Sequence, residues 1–571
     1  MRKINYCLFS ALYLSSLSMQ VDAQTPEWQS VTESGGAESE TARLISEDQD
    51  GNVFVAGNYS GDFSYAGQSF EYSENENPSG SDAFLSKLSP DGTTVWSINL
   101  GNPNTQLSYF SGLVNDFEGN TYLCGIIQPT VPGLMVSFAG FEVIANPPNS
   151  AFLCKIDADG NGVWIKTFSA SGSDFLITVN PSLGIDSNDD LILGGSFTGT
   201  LDLDGTILSV IGNHFDHFTS KFDSDGNVLW AKSFGSSNTE QLLTLSVASD
   251  DGIFLGGSWS GDSLFLGDLV VVNDDPLVGD NFDRWIGKLN SDGEEILLSR
   301  EAVGGSNPFL VNPAAIAPAA DGGAMILSGV YNPITIGGEE ISENGVLMTK
   351  YNFEGQLASV EFIAELTPSG TIIPDGNGNY FYAGNFTTPE ITIGTDVFSN
   401  MGGATGTTDA VLIQCDENGA TNYALQIGDV ENESISRLRL MSSSQLLVAG
   451  TYNSSSLSLG GETLENIGFL TNDFFLGNLD FTTGLIEWND AEEISVFPNP
   501  ASDLLSIDLP SIERGNSKVS IFDMNGRVVY QANERMSKVK RLDVSFLENG
   551  IYVLDIQGAE AHYVSKFIVN K

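Results

Sequence analysis

Two stretches decide the fold. The first is Asp48-Gln49-Asp50-Gly51-Asn52-Val53-Phe54-Val55-Ala56-Gly57. The second, after a variable interval, is Asp82-Ala83-Phe84-Leu85-Ser86-Lys87-Leu88-Ser89-Pro90-Asp91-Gly92-Thr93-Thr94-Val95-Trp96. The pair returns along the chain. The glycine that ends the first stretch recurs at Gly57, Gly125, Gly195, Gly257, Gly329, Gly384 and Gly450, which marks seven units 55 to 72 residues apart. A lysine recurs in the second stretch at Lys87, Lys155, Lys221, Lys288 and Lys350, with Gln414 and Asn478 in the last two units. Tryptophan recurs at Trp28, Trp96, Trp164, Trp230 and Trp488. Self-similarity at such a period signifies a repeat architecture.

Each unit reads as four strands. Short apolar, β-branched runs are bounded by Asp-Gly and Asn-Gly, whose tolerance of positive φ favours tight hairpins. In the first unit the strands fall near residues 41–47, 52–58, 83–88 and 93–99. Four antiparallel strands repeated seven times, with no helical periodicity, predict an all-β, seven-bladed β-propeller over residues 24–488. Variable loops between the second and third strands should share one face. The segment Glu27-Trp28-Gln29-Ser30-Val31 looks like Thr94-Val95-Trp96-Ser97-Ile98, so it is expected to complete the last unit and close the ring. Leu485-Ile486-Glu487-Trp488 would then be displaced to the outer edge. Closure removes edge strands that invite aggregation. The units resemble the bacterial SBBP-type β-propeller repeats, a resemblance that implies architecture and no activity.

The chain ends differently. From Val496-Phe497-Pro498-Asn499-Pro500-Ala501-Ser502-Asp503 it alternates through Leu504-Leu505-Ser506-Ile507-Asp508-Leu509. It continues with Val519-Ser520-Ile521-Phe522-Asp523-Met524-Asn525-Gly526-Arg527 and Leu547-Glu548-Asn549-Gly550-Ile551-Tyr552, and finishes on Lys566-Phe567-Ile568-Val569-Asn570-Lys571. Residues 494–571 resemble the type A C-terminal sorting domain of the Bacteroidetes type IX secretion system. The motif residues are Pro498, Asn499, Pro500, Gly526, Gly550, Tyr552 and Lys566. The resemblance implies recognition by the outer-membrane translocon, removal by a surface peptidase, and delivery to the cell surface or medium. The strand pattern predicts a small immunoglobulin-like β-sandwich behind an acidic linker, residues 489–493. The N-terminus agrees. Arg2 and Lys3 precede the apolar run Leu8 to Leu17, and Val21-Asp22-Ala23 precedes Gln24, so residues 1–23 read as a signal peptide cleaved between Ala23 and Gln24 after use of the Sec translocon. That run is too short for a membrane span, and no transmembrane segment is expected elsewhere.

Charge divides the chain. Residues 494–571 hold nine basic and nine acidic side chains, whereas residues 24–493 hold 12 basic and 64 acidic ones. This excess repels nucleic acid and anionic membranes and favours solubility outside the cell.

Repetition separates scaffold from candidate sites. Asp82, Asp216, Asp283, Asp409 and Asp473 each precede the lysine slot by five residues and read as strand braces. The lysine stems are expected to cover the tryptophan of the neighbouring strand. His214-Phe215-Asp216-His217 occurs once and could ligate a metal, but it lacks a fourth ligand nearby and reads rather as two solvent-facing histidines. Asp157-Ala158-Asp159-Gly160-Asn161-Gly162 opens like a calcium loop, but Phe168 stands where the final glutamate is required; a structural calcium is an open alternative and no other cofactor is indicated. Ser89-Pro90-Asp91-Gly92-Thr93-Thr94-Val95-Trp96 approaches a sialidase-type Asp-box, yet Arg43, Arg284, Arg300, Arg437 and Arg439 fall in units distant along the chain. Cys124 and Cys154 occupy small-residue slots on strands expected to be neighbours, and either a disulfide or two free thiols would fit. No catalytic motif is visible. The favoured function is a non-catalytic binding or adhesion protein for an extracellular glycan or protein. The alternative is a polysaccharide-active hydrolase with carboxylates in the channel.

Overall fold

The structure, a computed structural model, describes residues 26–571 apart from 74–80, 100–104, 130–133, 146–149, 172–174, 177–182, 213, 273–282, 303–310, 331–333, 337–338, 404–405, 443, 469–470, 482–490, 503, 510–515, 524–527, 536–538, 548 and 558–561. Ala23, Gln24, Trp488 and Gly526 therefore lie outside the described residues. Two compact units emerge, one of Glu27–Asp480 and one holding Phe481–Lys571.

The first unit is all-β. Among the described residues it contains seven sheets with a common order of first, second, third and fourth strand, each antiparallel to its neighbour. In sheet 1 these are Glu40–Glu47, Val53–Tyr59, Asp82–Leu88 and Thr94–Asn99. The strands begin and end within a residue of the sequence reading. The two middle strands are buried along their whole length, because their apolar runs face sheets on both sides. The fourth strand alternates exposed and half-buried residues, as an outer strand should.

Sheets are stacked in chain order. Leu44, Phe54, Ala56 and Leu85 of sheet 1 share a core with Leu123, Phe152, Cys154 and Ile156 of sheet 2. The opposite face of sheet 1, through Val55 and Phe84, packs on Ala449, Phe474 and Leu476 of the last sheet. First strands touch successively from Glu40–Glu47 around to Glu433–Ser442, which returns to Glu40–Glu47. The cycle is closed by the strand Glu27–Gly36, which pairs antiparallel with Asp473–Asp480, Trp28 opposite Leu479. The N-terminal strand thus stands fourth in the last sheet, as its likeness to Thr94–Ile98 implies.

The intervals between second and third strands are more ordered than loops. Every sheet carries an extra hairpin there, such as Phe63–Tyr65 with Gln68–Phe70 and Thr200–Leu203 with Thr206–Ser209. The pairs Ala66-Gly67, Ala139-Gly140 and Asp204-Gly205 have positive φ at both residues, the requirement of a two-residue hairpin turn. These hairpins reach back to the preceding sheet. Leu201 bridges Ala170, Phe265 bridges Gly235, and Tyr65 pairs with Ser34. Each thereby fastens its sheet to the fourth strand of the one before it.

The C-terminal unit has a five-stranded and a three-stranded sheet around one core that includes Leu505, Ile507, Leu542, Leu554, Tyr563 and Phe567. Its boundary differs from the expected one. Ala491–Glu493, read as linker, pairs parallel with His562–Val564 and adds an edge strand to the larger sheet.

Candidate functional site

The recurring polar residues hold the sheets together. Lys87 lies 3.1 Å from Asp48, Lys155 3.6 Å from Asp116, and Lys221 2.6 Å from Asp186. Each aspartate also accepts amide hydrogens of its own turn. Asp48 Oδ1, for example, accepts from the backbone of Asp50 and Asn52 at 3.1 and 2.9 Å. Lys87 lies over Phe54, Lys155 over Tyr122 and Lys288 over Phe254, and not over tryptophan as expected. Tryptophan instead faces forward. Trp96, Trp164 and Trp230 donate Nε1–H to the carbonyls of Ala158, Ser224 and Ser291 in the turn of the next sheet, at 2.9 to 3.2 Å. Gly160 and Gly293 lie so close to these rings that a Cβ would sit 2.9 Å from ring carbon.

The unique candidates separate. His217 is wholly buried between Phe234 and Trp285, its ring centroid 4.7 Å from the indole, and burial drives its pKa down to about 3. His214 is exposed. His214 lies in the bend before the strand Asp216–Phe222 while His217 points into the core from it, so they are not two solvent-facing rings. The calcium-like loop spends Asp157 on the amides of Asp159 and Asn161. Among the described residues no group of three or more His, Cys, Asp or Glu side chains could hold a metal. In the Asp-box-like turn, Asp91 accepts from Thr93 N at 3.1 Å and from Ser89 Oγ, which closes the turn. Cys124 pairs in register with Leu153, and Cys154 with Leu123. This one-residue offset sends the two sulfurs to opposite faces and into different cores, so no disulfide joins them. The disulfide alternative therefore fails on register.

One end of the ring departs from the repeat. The turns joining first to second strands of sheets 1, 2 and 3 meet there around a cavity of about 240 Å³. Glu47, Asp48, Asp116, Phe117, Asp186 and Asp189 line it, and Arg439 enters from the first strand of the last sheet. Phe117 is 59% exposed. Asp189 stands at φ 62°, where the first two units place Gly51 and Gly119, and its Oδ1 accepts the amide of Phe117 at 3.2 Å. Asp251, at φ 61°, likewise accepts Ser187 N at 2.9 Å. Asp tolerates the left-handed region better than most residues, and here it bridges adjacent turns. Burial raises the Glu47 pKa despite the attraction of Arg439. Burial also raises that of Asp189, against the hydrogen bond from Phe117. Carboxylates from three sheets converge as the channel alternative requires, but Asp48, Asp116 and Asp186 are already committed to lysines. The arginines were also misplaced by sequence distance. Ring closure puts Arg43 near enough to Arg437 for mutual repulsion, and Ser436 Oγ donates to Ala42 O at 2.8 Å across the seam.

In the C-terminal unit the motif residues surround the final strand. Asn499 Nδ2 donates to Lys566 O at 3.2 Å, and Asn499 Oδ1 accepts from Ile568 N at 2.8 Å. The Ala501 amide donates to Ile568 O at 2.7 Å. Pro498 and Pro500 both follow cis peptide bonds. Gly550 pairs with Val569, and the Tyr552 ring stacks on Phe567 at 5.7 Å. Lys566 is exposed.

Residues 495–570 match the family of secretion system C-terminal sorting domains. The protein is exported by type IX secretion. Its destination is the cell surface or the extracellular space. Among the described residues no helix is long and apolar enough to cross a membrane. Over 206 residues the chain is 26% identical to an uncharacterized WD repeat-containing protein of Acanthamoeba polyphaga mimivirus, covering 31% of this chain and 14% of that one. Over 94 residues it is 29% identical to an ulvan lyase of Nonlabens ulvanivorans, 16% of this chain and 17% of that one. The chain thus spans less than a fifth of either relative. Among solved structures, a polysaccharide lyase aligns with 80% of this chain and all of its own, at TM-score 0.40 and 8% identity. A protein of unknown function from Dyadobacter fermentans aligns with 80% of this chain and 99% of its own, at TM-score 0.33 and 10% identity.

Proposed function

We propose that this exported protein is a non-catalytic binding or adhesion protein that holds an extracellular glycan or protein at the open end of a seven-bladed β-propeller of SBBP-like repeats. The C-terminal unit is then an immunoglobulin-like sandwich, recognised by the translocon and removed by a surface peptidase once a Sec signal peptide has been cleaved. The observation that carries the binding reading is the cavity of about 240 Å³ where the turns of three sheets meet. It offers an exposed aromatic face, Phe117, beside hydrogen-bond acceptors and the Arg439 guanidinium, the mixture of apolar surface and convergent polar groups that ligand sites present. Asp48, Asp116 and Asp186 return from sheet to sheet; Phe117, Asp189 and Arg439 are what set this place apart.

A second reading, a polysaccharide-active enzyme, draws support from Glu47, whose raised pKa suits proton transfer. It is weakened by the commitment of Asp48, Asp116 and Asp186 to lysines. The test is a glycan array probed with the purified protein and with Phe117→Ala, alongside an assay for new polysaccharide chain ends. Saturable binding lost at least tenfold in Phe117→Ala supports the binding site. Chain cleavage abolished by Glu47→Gln would replace it with the enzyme.

A further inference from the structure

Neighbouring sheets share a backbone contact that places two acids together. The amide of Glu40, at the start of sheet 1, donates to Asn472 O at 2.6 Å, and that of Glu240, at the start of sheet 4, to Phe215 O at 2.8 Å. Each acceptor immediately precedes an aspartate, Asp473 and Asp216. This sets the Glu40 carboxyl against that of Asp473 and the Glu240 carboxyl against that of Asp216, whose Oδ1 is buried and left without another hydrogen bond. All four residues are 0 or 1% exposed. Among the described residues none of the four is ion-paired to a lysine, arginine or histidine. Ionised carboxylates only accept, so a hydrogen bond between two carboxyl groups requires a proton on one of them.

The surroundings put that proton on the glutamate. Asp216 Oδ2 accepts the amide of Ile211 at 2.8 Å, which favours its charged form. Glu240 accepts from Ser236 N at 2.9 Å and from Ser236 Oγ, yet burial and Asp216 hold its pKa up at about 8, against about 6 for Asp216, also raised by burial. At the other seam burial and Asp473 raise Glu40, with Glu38 adding repulsion. Burial raises Asp473 too, and Glu33 adds repulsion there while accepting from Tyr452 Oη at 2.9 Å. Backbone fits tightly at both places. A Cβ at Gly235 would lie 2.4 Å from Asp216 Cγ, and one at Gly36 would lie 2.2 Å from a Glu40 oxygen. His217, on the other face of its strand, stays neutral near pH 7.

Two further seams show that the pairs are additions to a common joint. Glu433 N donates to Thr408 O at 2.7 Å beside Asp409, but its carboxyl is occupied by Asp429 N and Ser454 Oγ, at 2.7 and 2.6 Å. Glu365 N donates to Asn344 O at 2.8 Å, with Gly345 in the aspartate's place.

We propose that Glu40–Asp473 and Glu240–Asp216 are proton-sharing latches between sheets, which make the ring most stable in mildly acidic medium and loosen two of its seams as the medium turns alkaline. Loosening begins at the Glu240–Asp216 seam, because the added negative charge of Glu38 and Glu33 keeps the proton on the Glu40–Asp473 pair to higher pH, to about 9 for Glu40 against about 8 for Glu240. The sign follows from linkage. A carboxyl whose folded pKa is raised contributes its full stability below its unfolded pKa, near 4.5, and loses it as pH rises through the folded value. Exposed carboxylates are ionised by about pH 6, so the range from 6 to 8.5 isolates the buried pairs from the general repulsion of the acidic chain.

The experiment is thermal unfolding of the secreted protein across that range. The midpoint of the wild type is expected to fall with pH. Glu40→Gln with Glu240→Gln keeps the hydrogen-bond donor without its titration, so this variant should lose more than half of the fall and unfold above wild type at pH 8.5. Glu40→Gln alone should take the larger share, because the pair that keeps its proton to higher pH loses stability over more of the range, and Glu354→Gln, an exposed control, should keep the wild-type slope. A wild-type slope in the double variant, or no slope in the wild type, overturns the proposal. Should the double variant not fold, the infrared carbonyl band of a protonated carboxylic acid at pH 7 decides instead. The proposal requires that band in the wild type and its weakening in Asp473→Asn; its absence from the wild type overturns it.

Discussion

In the ring, seven seams share the work of holding the structure, and the last sheet borrows Glu27–Gly36 from the far end of the chain to complete itself. In the C-terminal unit one strand carries that burden. His562–Val569 lies between Gly550–Gln557 and Ala491–Glu493, places Tyr563, Phe567 and Val569 in the core, and receives the Asn499 side chain on its backbone. A ring sheet packs on a neighbour at each face, whereas the final strand contributes to the core that the described residues of the small unit share. The charges follow the same division. The acidic excess is spread over the repeats, while the exported unit's address domain is balanced.

The largest expected effect tests the weaker region. Deleting residues 562–571 should unfold the C-terminal unit and leave the protein in the periplasm, read by fractionation of the native host; undiminished export would contradict the reading of that strand. Next comes the ring's buried brace. Lys221→Met strands Asp186, which is 1% exposed, and should cost about 3–5 kcal/mol in chemical unfolding of the ring. Asn499→Ala removes two hydrogen bonds to the final strand and should cost about 1–2 kcal/mol, confined to the transition of the C-terminal unit. A shift in the ring's transition would show that the two units do not unfold independently. The smallest effect returns to the lysine series. Lys350 pairs with Asp321 and Glu417, which are 45 and 57% exposed, so Lys350→Met should cost less than about 1 kcal/mol. Equal losses at Lys221 and Lys350 would mean that burial does not grade these braces.

Much of this was legible along the chain, and what was missed has identifiable reasons. The extra hairpins were read as loops although Leu459-Gly460-Gly461-Glu462 and Tyr65-Ala66-Gly67-Gln68 carry the glycine of a tight turn between alternating apolar residues. Their strands are only three to five residues long, too short to stand out against a variable interval. The linker residues Ala491–Glu493 look polar and unstructured, and only the distant partner His562–Val564 makes them a strand. The sorting motif was legible as a pattern, but the role of Asn499 was not, since its hydrogen bonds depend on where the final strand lies.

Repeat period, turn chemistry and the identity of the terminal strands are local properties, and the sequence alone determined them. The spacing of glycines set seven units, and the likeness of Glu27–Val31 to Thr94–Ile98 set the closure. What required the tertiary structure were relations across seams. A one-residue register offset parted Cys124 from Cys154, closure brought Arg43 of the first sheet to Arg437 of the last, and docked backbones set Glu40 against Asp473 and Glu240 against Asp216. Electrostatic energy depends on distance through space and on exclusion of water, and neither quantity is written in the order of residues along a chain.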